Sequence, residues 1–203
     1  MSAQDVSNII TSPSNLVVGG NHYQFKLLNK NPIKGDRKVN DYIYTFVSQK
    51  TGLKYYANCV EYDIGVFAVK FYLKIHKNDK HKYNLVINKG DGRKVLKTII
   101  AIMLDVLKRN DSASFAFIGM PKPDESRKVT TRYCVYRGLC SNYFNPENFD
   151  HVYDEQKAFY SLLNKKVNTD KLLKQLSDLA QHEIKDEPTH PVVSLNGSTS
   201  RVI

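Results

Sequence analysis

The sequence predicts one α+β domain, in which helices pack on a mostly antiparallel sheet. Three observations lead to this fold class. Four runs in the first half are rich in aromatic and β-branched residues, which strands favour. The second half instead repeats its apolar residues with the period of a helix. A chain of 203 residues suits one domain, which we expect over residues 21–183, with flexible segments at 1–20 and 184–203.

The four runs of the first half predict an antiparallel β-meander. They are HYQFKLLN from His22, DYIYTFVS from Asp41, LKYYANCVEY from Leu53 and VFAVKFYLKI from Val66. Short separators such as QKTG and DIG supply the glycine that hairpin turns favour. The many tyrosines of these runs fit two roles, either half-buried core positions or a platform on which nucleic-acid bases stack.

The second half begins with a helix, a strand and another helix. The first helix is predicted from about Gly92 to Arg109, because apolar residues recur there at spacings of three and four. ASFAFIG at 113–119 predicts a buried strand. The second helix is expected from about Glu125 to Phe144, since Asn145-Pro146 stops it.

The last predicted elements are one or two strands and a C-terminal helix. FDHVYD and AFYSLLNKK have the composition of strands. NTDKLLKQLSDLAQHEI carries leucines at helical spacing, with Thr169 or Asp170 as the expected N-cap. The two main helices and this C-terminal helix therefore follow a sheet that is largely formed from the first half.

Composition excludes several classes of protein. Hydrophobic residues make up 41% of the chain, and no run approaches the roughly 20 apolar residues of a membrane helix. The first residues carry no secretory signal, so we expect a soluble, cytoplasmic protein. Three cysteines and six scattered histidines give neither a disulfide framework nor the spacing of metal ligands. We therefore expect no metal site.

The chain is basic, with a formal net charge of +10 and a pI near 9.4. Lysine and arginine neutralise phosphates, so a polyanion such as nucleic acid is one partner that this charge favours. A lysine-rich surface that only keeps the protein in solution is the other explanation. For a polyanion, Lys128, Arg132 and Arg137 on the second helix are the residues that we expect to make contact.

The passage from residue 85 to residue 109, LVINKGDGRKVLKTIIAIMLDVLKR, bears most directly on function. An extended apolar run leads through Gly90-Asp91-Gly92 into the first helix. A helix N-terminus offers free backbone N–H groups and the positive end of the helix dipole, a combination that binds phosphate. The turn is either such a phosphate cradle or a corner at which the Asp91 side chain caps the helix.

The segment INKGDGRKVLKTIIAIML resembles the pyrophosphate-binding segment of the GNAT superfamily, the acetyl-CoA-dependent N-acetyltransferases. The family's pattern is Gln or Arg, two residues, Gly, any residue, Gly or Ala, and then an amphipathic helix. Gly90 and Gly92 match its two glycine positions. The resemblance implies that acetyl-CoA is the cofactor and that its pyrophosphate is bound by Gly90, Asp91, Gly92, Arg93 and Lys94.

Two residues depart from the family's pattern. Ile87 stands where the pattern has Gln or Arg, and it offers no side-chain donor to a phosphate. Asp91 adds a carboxylate between the two glycines, where it would repel a pyrophosphate. The resemblance extends from about residue 40 to about residue 165 and includes the order of elements, so it implies a GNAT-like fold.

A second segment, TTRYCVYRGLCSNYF, resembles another signature of the same family, whose tyrosine commonly protonates the departing thiolate. The resemblance implies that Tyr136, or else Tyr133, is this general acid. Tyrosines that pack a helix face against a sheet have the same spacing, so this structural role stays open. Glu61 and Asp63, near a strand end, are the carboxylates that could serve as general base.

Two functions follow from these observations. The first is an acyl-CoA-binding protein that resembles the N-acetyltransferases and is either active or degenerate. The second is a non-catalytic basic module that binds nucleic acid or an acidic protein, for example in a bacterial or phage conflict system. The sequence predicts no membrane partner, and it leaves the acceptor substrate and the oligomeric state open.

Overall fold

A computed structural model describes residues 21–33, 37–80, 82–83, 90–118, 130–155 and 158–186. Over these ranges the fold is α+β, with one seven-stranded sheet and three α-helices. The strands are β1 (Phe25–Pro32), β2 (Lys38–Val47), β3 (Lys54–Tyr62), β4 (Val66–Leu73), β5 (Ser114–Ile118), β6 (Phe149–Asp154) and β7 (Phe159–Asn164). The helices are α1 (Gly92–Arg109), α2 (Thr131–Tyr143) and α3 (Thr169–Asp186).

The sheet has the strand order β1-β2-β3-β4-β5-β7-β6. Each neighbouring pair is antiparallel except β4 and β5, which run parallel and are joined through α1. The parallel ladder extends only from Val66 opposite Ser114 to Ala68 opposite Ala116. Beyond these positions the described parts of β4 and β5 form no further pair, so the carboxyl ends of the two strands separate.

Helices α1 and α2 cover one face of the sheet, which we call the α1 face. Its core contains side chains that alternate along β2 and β4, including Tyr42, Tyr44, Phe46, Phe67, Val69 and Leu73. Helix α3 packs on the opposite face, where Leu172 and Leu176 join a smaller core around Tyr62, Val66 and Leu163. Successive strand residues point to opposite faces, so the two cores follow from the period of two in each strand.

The predicted bounds of α1 are confirmed, whereas those of α2 are wrong at the N-terminus. Thr130 has an extended backbone, and its hydroxyl accepts a hydrogen bond from the N–H of Tyr133 at 3.1 Å. Thr130 is therefore an N-cap, and the helix cannot continue back through it towards Glu125. At the other end the helix stops at Tyr143, ahead of Asn145-Pro146 as expected.

Two other boundaries differ from the prediction. Strand β1 begins at Phe25 and not at His22. The N-cap of α3 is Asn168 and neither Thr169 nor Asp170, because the Asn168 Oδ1 accepts from the N–H of Lys171 at 3.0 Å. A side chain one position before the first helical residue reaches this N–H, whereas the two predicted residues lie within the helix itself.

Some predictions concern residues outside the described ranges. These residues are the terminal segments 1–20 and 187–203, the segment 84–89 with Ile87, and the segment 119–129 with Lys128. Within the described residues, no helix combines the length and the apolar character that a membrane crossing needs.

Candidate functional site

A small apolar cavity lies where β4 and β5 separate. Its volume is about 20 Å³, enough for one water-sized group. Its walls come from β4, α1, β5 and α2: Val69, Phe71, Leu96, Ile99, Ile100, Phe117, Tyr136, Leu139 and Cys140. In open sheets ligands bind beyond the carboxyl ends of parallel strands, where the connections diverge, and the cavity occupies this kind of position.

Tyr136 is the one predicted catalytic residue that lines this cavity. Its ring centroid lies 6.4 Å from that of Phe71 and 5.9 Å from that of Phe117, so the ring sits between the two diverging strands. Burial raises the pKa of the Tyr136 phenol, and the nearby Arg132 acts in the opposite direction. The phenol therefore stays protonated near neutral pH and is able to donate a proton.

Tyr133 does not reach the cavity, although the sequence made it the second candidate. Its side chain is 1% exposed, and its buried hydroxyl finds no hydrogen-bond partner in the described part of the chain. Burial also raises the pKa of this phenol. Cys140 does line the cavity, but burial raises the pKa of its thiol to about 12, so it is a packing residue rather than a nucleophile.

The N-terminus of α1 carries two backbone donors without an acceptor among the described residues. The N–H groups of Lys94 and Val95 donate to the Asp91 carbonyl at 3.0 and 3.1 Å, whereas those of Gly92 and Arg93 have no acceptor within the described ranges. A Cβ at Gly92 would meet nothing within 4 Å, so the space beside this turn is open. These donors and the helix dipole favour an anion there.

The Asp91 side chain does not cap α1, and this part of the prediction is wrong. Asp91 holds the N-cap position, yet its side chain makes no capping hydrogen bond and is only 6% exposed. Its Oδ1 accepts from the Tyr23 hydroxyl at 3.2 Å, and that hydroxyl in turn accepts from Ser48 at 3.2 Å. Because Tyr23 holds the Asp91 carboxyl group in the interior, this carboxyl group does not compete with a bound anion for the N–H groups of Gly92 and Arg93.

Three cations surround this turn. The Lys50 ammonium donates to the Gly90 carbonyl at 2.9 Å, Arg93 is exposed, and the Lys94 ammonium lies 4.5 Å from the centre of the Tyr23 ring. Sequence reasoning missed Lys50 and Tyr23, because their contacts span 40 and 68 residues and leave no local pattern. Gly90 itself has φ of 65°, a conformation that glycine adopts readily.

The two carboxylates proposed as general bases lie elsewhere. Glu61 is opposite Phe67 near the amino end of β4, and its carboxylate accepts from the Asn40 amide at 2.6 Å. Asp63 forms an ion pair with Arg37 at 3.1 Å. Neither residue lines the cavity, so neither is placed to act as a general base there.

Two of the three residues predicted to bind a polyanion are engaged by other groups of the protein. Arg132 donates to the Tyr83 carbonyl at 2.9 Å. Arg137 pairs with Glu155 at 3.0 Å, and its guanidinium lies 4.2 Å from the centre of the Tyr153 ring. Lys128 lies outside the described residues.

Neither metal ligands nor similar proteins point to a function. No group of three or more His, Cys, Asp and Glu side chains that could hold a metal occurs within the described residues. Comparison of the chain with models of protein families, with curated proteins and with solved structures gave no match. The function has to be inferred from the geometry of the cavity and of the α1 N-terminus.

Proposed function

We propose that this protein binds an acyl-CoA and is related in function to the N-acetyltransferases. In this proposal the pyrophosphate lies at the N-terminus of α1 and the acyl end lies at the cavity. The observation that carries it is that one helix serves both features. Leu96 and Ile100 line the cavity four and eight residues after Gly92, which is about 6 and 12 Å along the helix axis.

The α1 N-terminus suits a pyrophosphate for electrostatic reasons. The N–H groups of Gly92 and Arg93, which have no acceptor among the described residues, can donate to phosphate oxygens, and the cations of Lys50, Arg93 and Lys94 add positive charge. The carboxyl group of Asp91 would weaken such a site if it turned outwards. Its hydrogen bond to Tyr23 instead keeps the carboxyl group in the interior, away from these N–H donors.

The chemistry proposed for the cavity is acyl transfer. A substrate amine attacks the thioester carbonyl carbon, the carbonyl oxygen becomes an oxyanion that backbone donors stabilise, and the C–S bond breaks. Tyr136, which burial keeps protonated, gives its proton to the leaving thiolate, and the resulting tyrosinate takes up the proton that the attacking nitrogen loses, so the products are an amide and a thiol. Since neither Glu61 nor Asp63 lies at the cavity, the amine has to enter as the free base.

The cavity is smaller than an acyl-thioester arm, so α2 has to move outwards when the ligand binds. Helix α2 is suited to this movement because only Tyr133 and Cys140 of its residues are buried. Helix α1 buries ten residues and provides the fixed wall. The basic module is the alternative function, but its named contacts Arg132 and Arg137 are already occupied within the protein.

Calorimetry and thermal unfolding with acetyl-CoA test this proposal. Acetyl-CoA and coenzyme A should both give saturable heats and raise Tm, because both carry the pyrophosphate. S-acetylcysteamine has the thioester without the phosphates, and it should bind far more weakly. If millimolar acetyl-CoA gives neither heat nor a shift of Tm, the proposal is wrong.

A further inference from the structure

Tyrosine rings and lysine ammonium groups alternate on the sheet face that lies opposite the cavity. Strands β3 and β4 and the segment at 82–83 supply this surface, which we call the tyrosine-lysine face. Its members are Tyr56, Tyr72, Tyr83, Lys54, Lys70 and Lys82. All six side chains are half-buried, so each contributes surface that a ligand can reach.

The strand register explains why these residues share one face. Tyr56 lies directly opposite Tyr72, and Asn58 lies opposite Lys70. Their chain neighbours Tyr55, Val69 and Leu73 point into the core of the α1 face. Helix α3 covers the other end of this same face, around Val66 and Leu163. Among the described residues, the apolar core beneath α3 includes Val60, Ile64 and Ala68 but none of the three tyrosines of the tyrosine-lysine face.

The three rings form a continuous aromatic surface. The centroids of Tyr56 and Tyr72 are 5.7 Å apart, and those of Tyr72 and Tyr83 are 5.4 Å apart with the planes at 90°. The Lys82 ammonium lies 4.7 Å from the centre of the Tyr72 ring and 5.3 Å from that of Tyr83. Such cation–π contacts hold flexible lysines beside the rings.

The electrostatic balance of the face is positive. Among the described residues of β1–β4, Asp41 is the acidic residue whose position in the strand register lies on this face. It belongs to β2, the strand next to that of Tyr56. Its Oδ2 accepts from the Asn58 amide at 2.8 Å, and burial raises the pKa of its carboxyl group, which disfavours its negative charge. Lys26 adds a further exposed cation opposite Thr45 on the same face.

We propose that the tyrosine-lysine face binds single-stranded nucleic acid, with bases stacked on Tyr56 and Tyr72 and phosphates neutralised by the lysines. Stacking on the rings needs unpaired bases, which favours a single strand over a duplex. An acidic peptide would bind to the lysines but would gain nothing from the tyrosine rings, which favours nucleic acid over such a peptide. A lysine can move from the ring to a phosphate when a base takes its place. The surface is independent of acyl-CoA binding, since Val69 and Phe71 of the cavity point to the other face.

Fluorescence anisotropy with the full chain tests the proposal. The probes are labelled single strands of DNA and of RNA of about 12 nucleotides, within the site sizes of stacking surfaces, a duplex of the same sequence, and polyglutamate as competitor. Tyr72→Leu removes a ring but keeps apolar volume, and Tyr153→Leu on β6 is its control. Lys70→Gln removes one charge, and Lys108→Gln near the end of α1 is the matched control.

Each outcome has a defined meaning. Tyr72→Leu should weaken single-strand binding about fivefold or more, the lower end of the stacking range, while Tyr153→Leu should not. Lys70→Gln should reduce the slope of log K against log salt by about 0.7, whereas Lys108→Gln should leave it unchanged. Binding to DNA, to RNA or to both supports the proposal. Equal losses in the control variants, equal affinity for the duplex, efficient competition by polyglutamate, or no binding at about 50 mM salt would overturn it.

Discussion

Tyr23→Phe is the substitution that tests the buried hydrogen-bond chain most sharply. The change removes one oxygen, which donates to the Asp91 Oδ1 and accepts from Ser48. The other carboxyl oxygen of Asp91 is buried without a partner in the described part of the chain. The variant thus leaves the whole carboxyl group unsatisfied, and hydrogen bonds to charged groups contribute about 1.5–3 kcal/mol each.

We therefore expect the free energy of unfolding to fall by about 2 kcal/mol, which corresponds to a fall in Tm of about 4–8 °C for a chain of this size. Urea unfolding followed by circular dichroism at pH 7 measures the change. Tyr143→Phe is the matched control, because its half-buried ring has no hydroxyl hydrogen bond within the described residues. The control should change the free energy by less than about 0.5 kcal/mol.

A double-mutant cycle with Asp91→Ala separates this hydrogen bond from other effects of Tyr23. The coupling energy between the two positions should be about 1–2 kcal/mol, as for residues in direct contact. The reasoning fails if the coupling is near zero, or if Tyr23→Phe and Tyr143→Phe are equally mild. A carboxyl group released from Tyr23 should also weaken binding of an anion at the α1 N-terminus.

Three further predictions concern stability and reactivity. Asp41→Asn should raise the free energy of unfolding by about 1 kcal/mol at pH 7, because the new amide can donate to the buried Asn58 Oδ1, which has no partner in the described part of the chain. The folded-state pKa of Asp41 is raised, so ionisation of Asp41 destabilises the wild type as pH rises from about 4. Urea unfolding at a series of pH values should therefore show that the difference in unfolding free energy between variant and wild type grows as pH rises. Native protein should give one thiol to Ellman's reagent, Cys134, and denatured protein three, because the other two cysteines are buried. Asn168→Ala should cost about 1 kcal/mol in urea unfolding through loss of its bond to the Lys171 N–H, and a cost near zero would contradict its role as N-cap.

Regular elements were predictable where one local signal dominated. The apolar period of α1 begins directly after a glycine, and the predicted bounds Gly92–Arg109 agree with the structure. The start of α2 was missed because the apolar spacing extends back beyond Thr130, while the hydroxyl of that residue stops the helix. A side-chain cap is a single hydrogen bond, and periodicity carries no information about it.

The candidate site was only partly predictable for a different reason. Its glycines and Tyr136 lie within segments that a pattern can cover, whereas its electrostatics depend on contacts between distant segments. Nothing near Asp91 in the sequence indicates that Tyr23 binds its side chain from 68 residues away. Likewise, Lys50 reaches Gly90 only because the β2–β3 turn lies beside the start of α1. These contacts reverse the expected orientation of Asp91.

A comparison of Gly92→Glu with Gly92→Gln tests most directly whether the α1 N-terminus binds the pyrophosphate. Both side chains fit the open space at this position, and glutamate is favourable for the first turn of a helix, so both variants should fold. By calorimetry with acetyl-CoA, Gly92→Gln should keep an affinity near that of the wild type. Gly92→Glu should lose about tenfold or more, because like charges a few ångströms apart cost more than about 1 kcal/mol. Equal affinities of the two variants, or no binding by the wild type, would contradict the account.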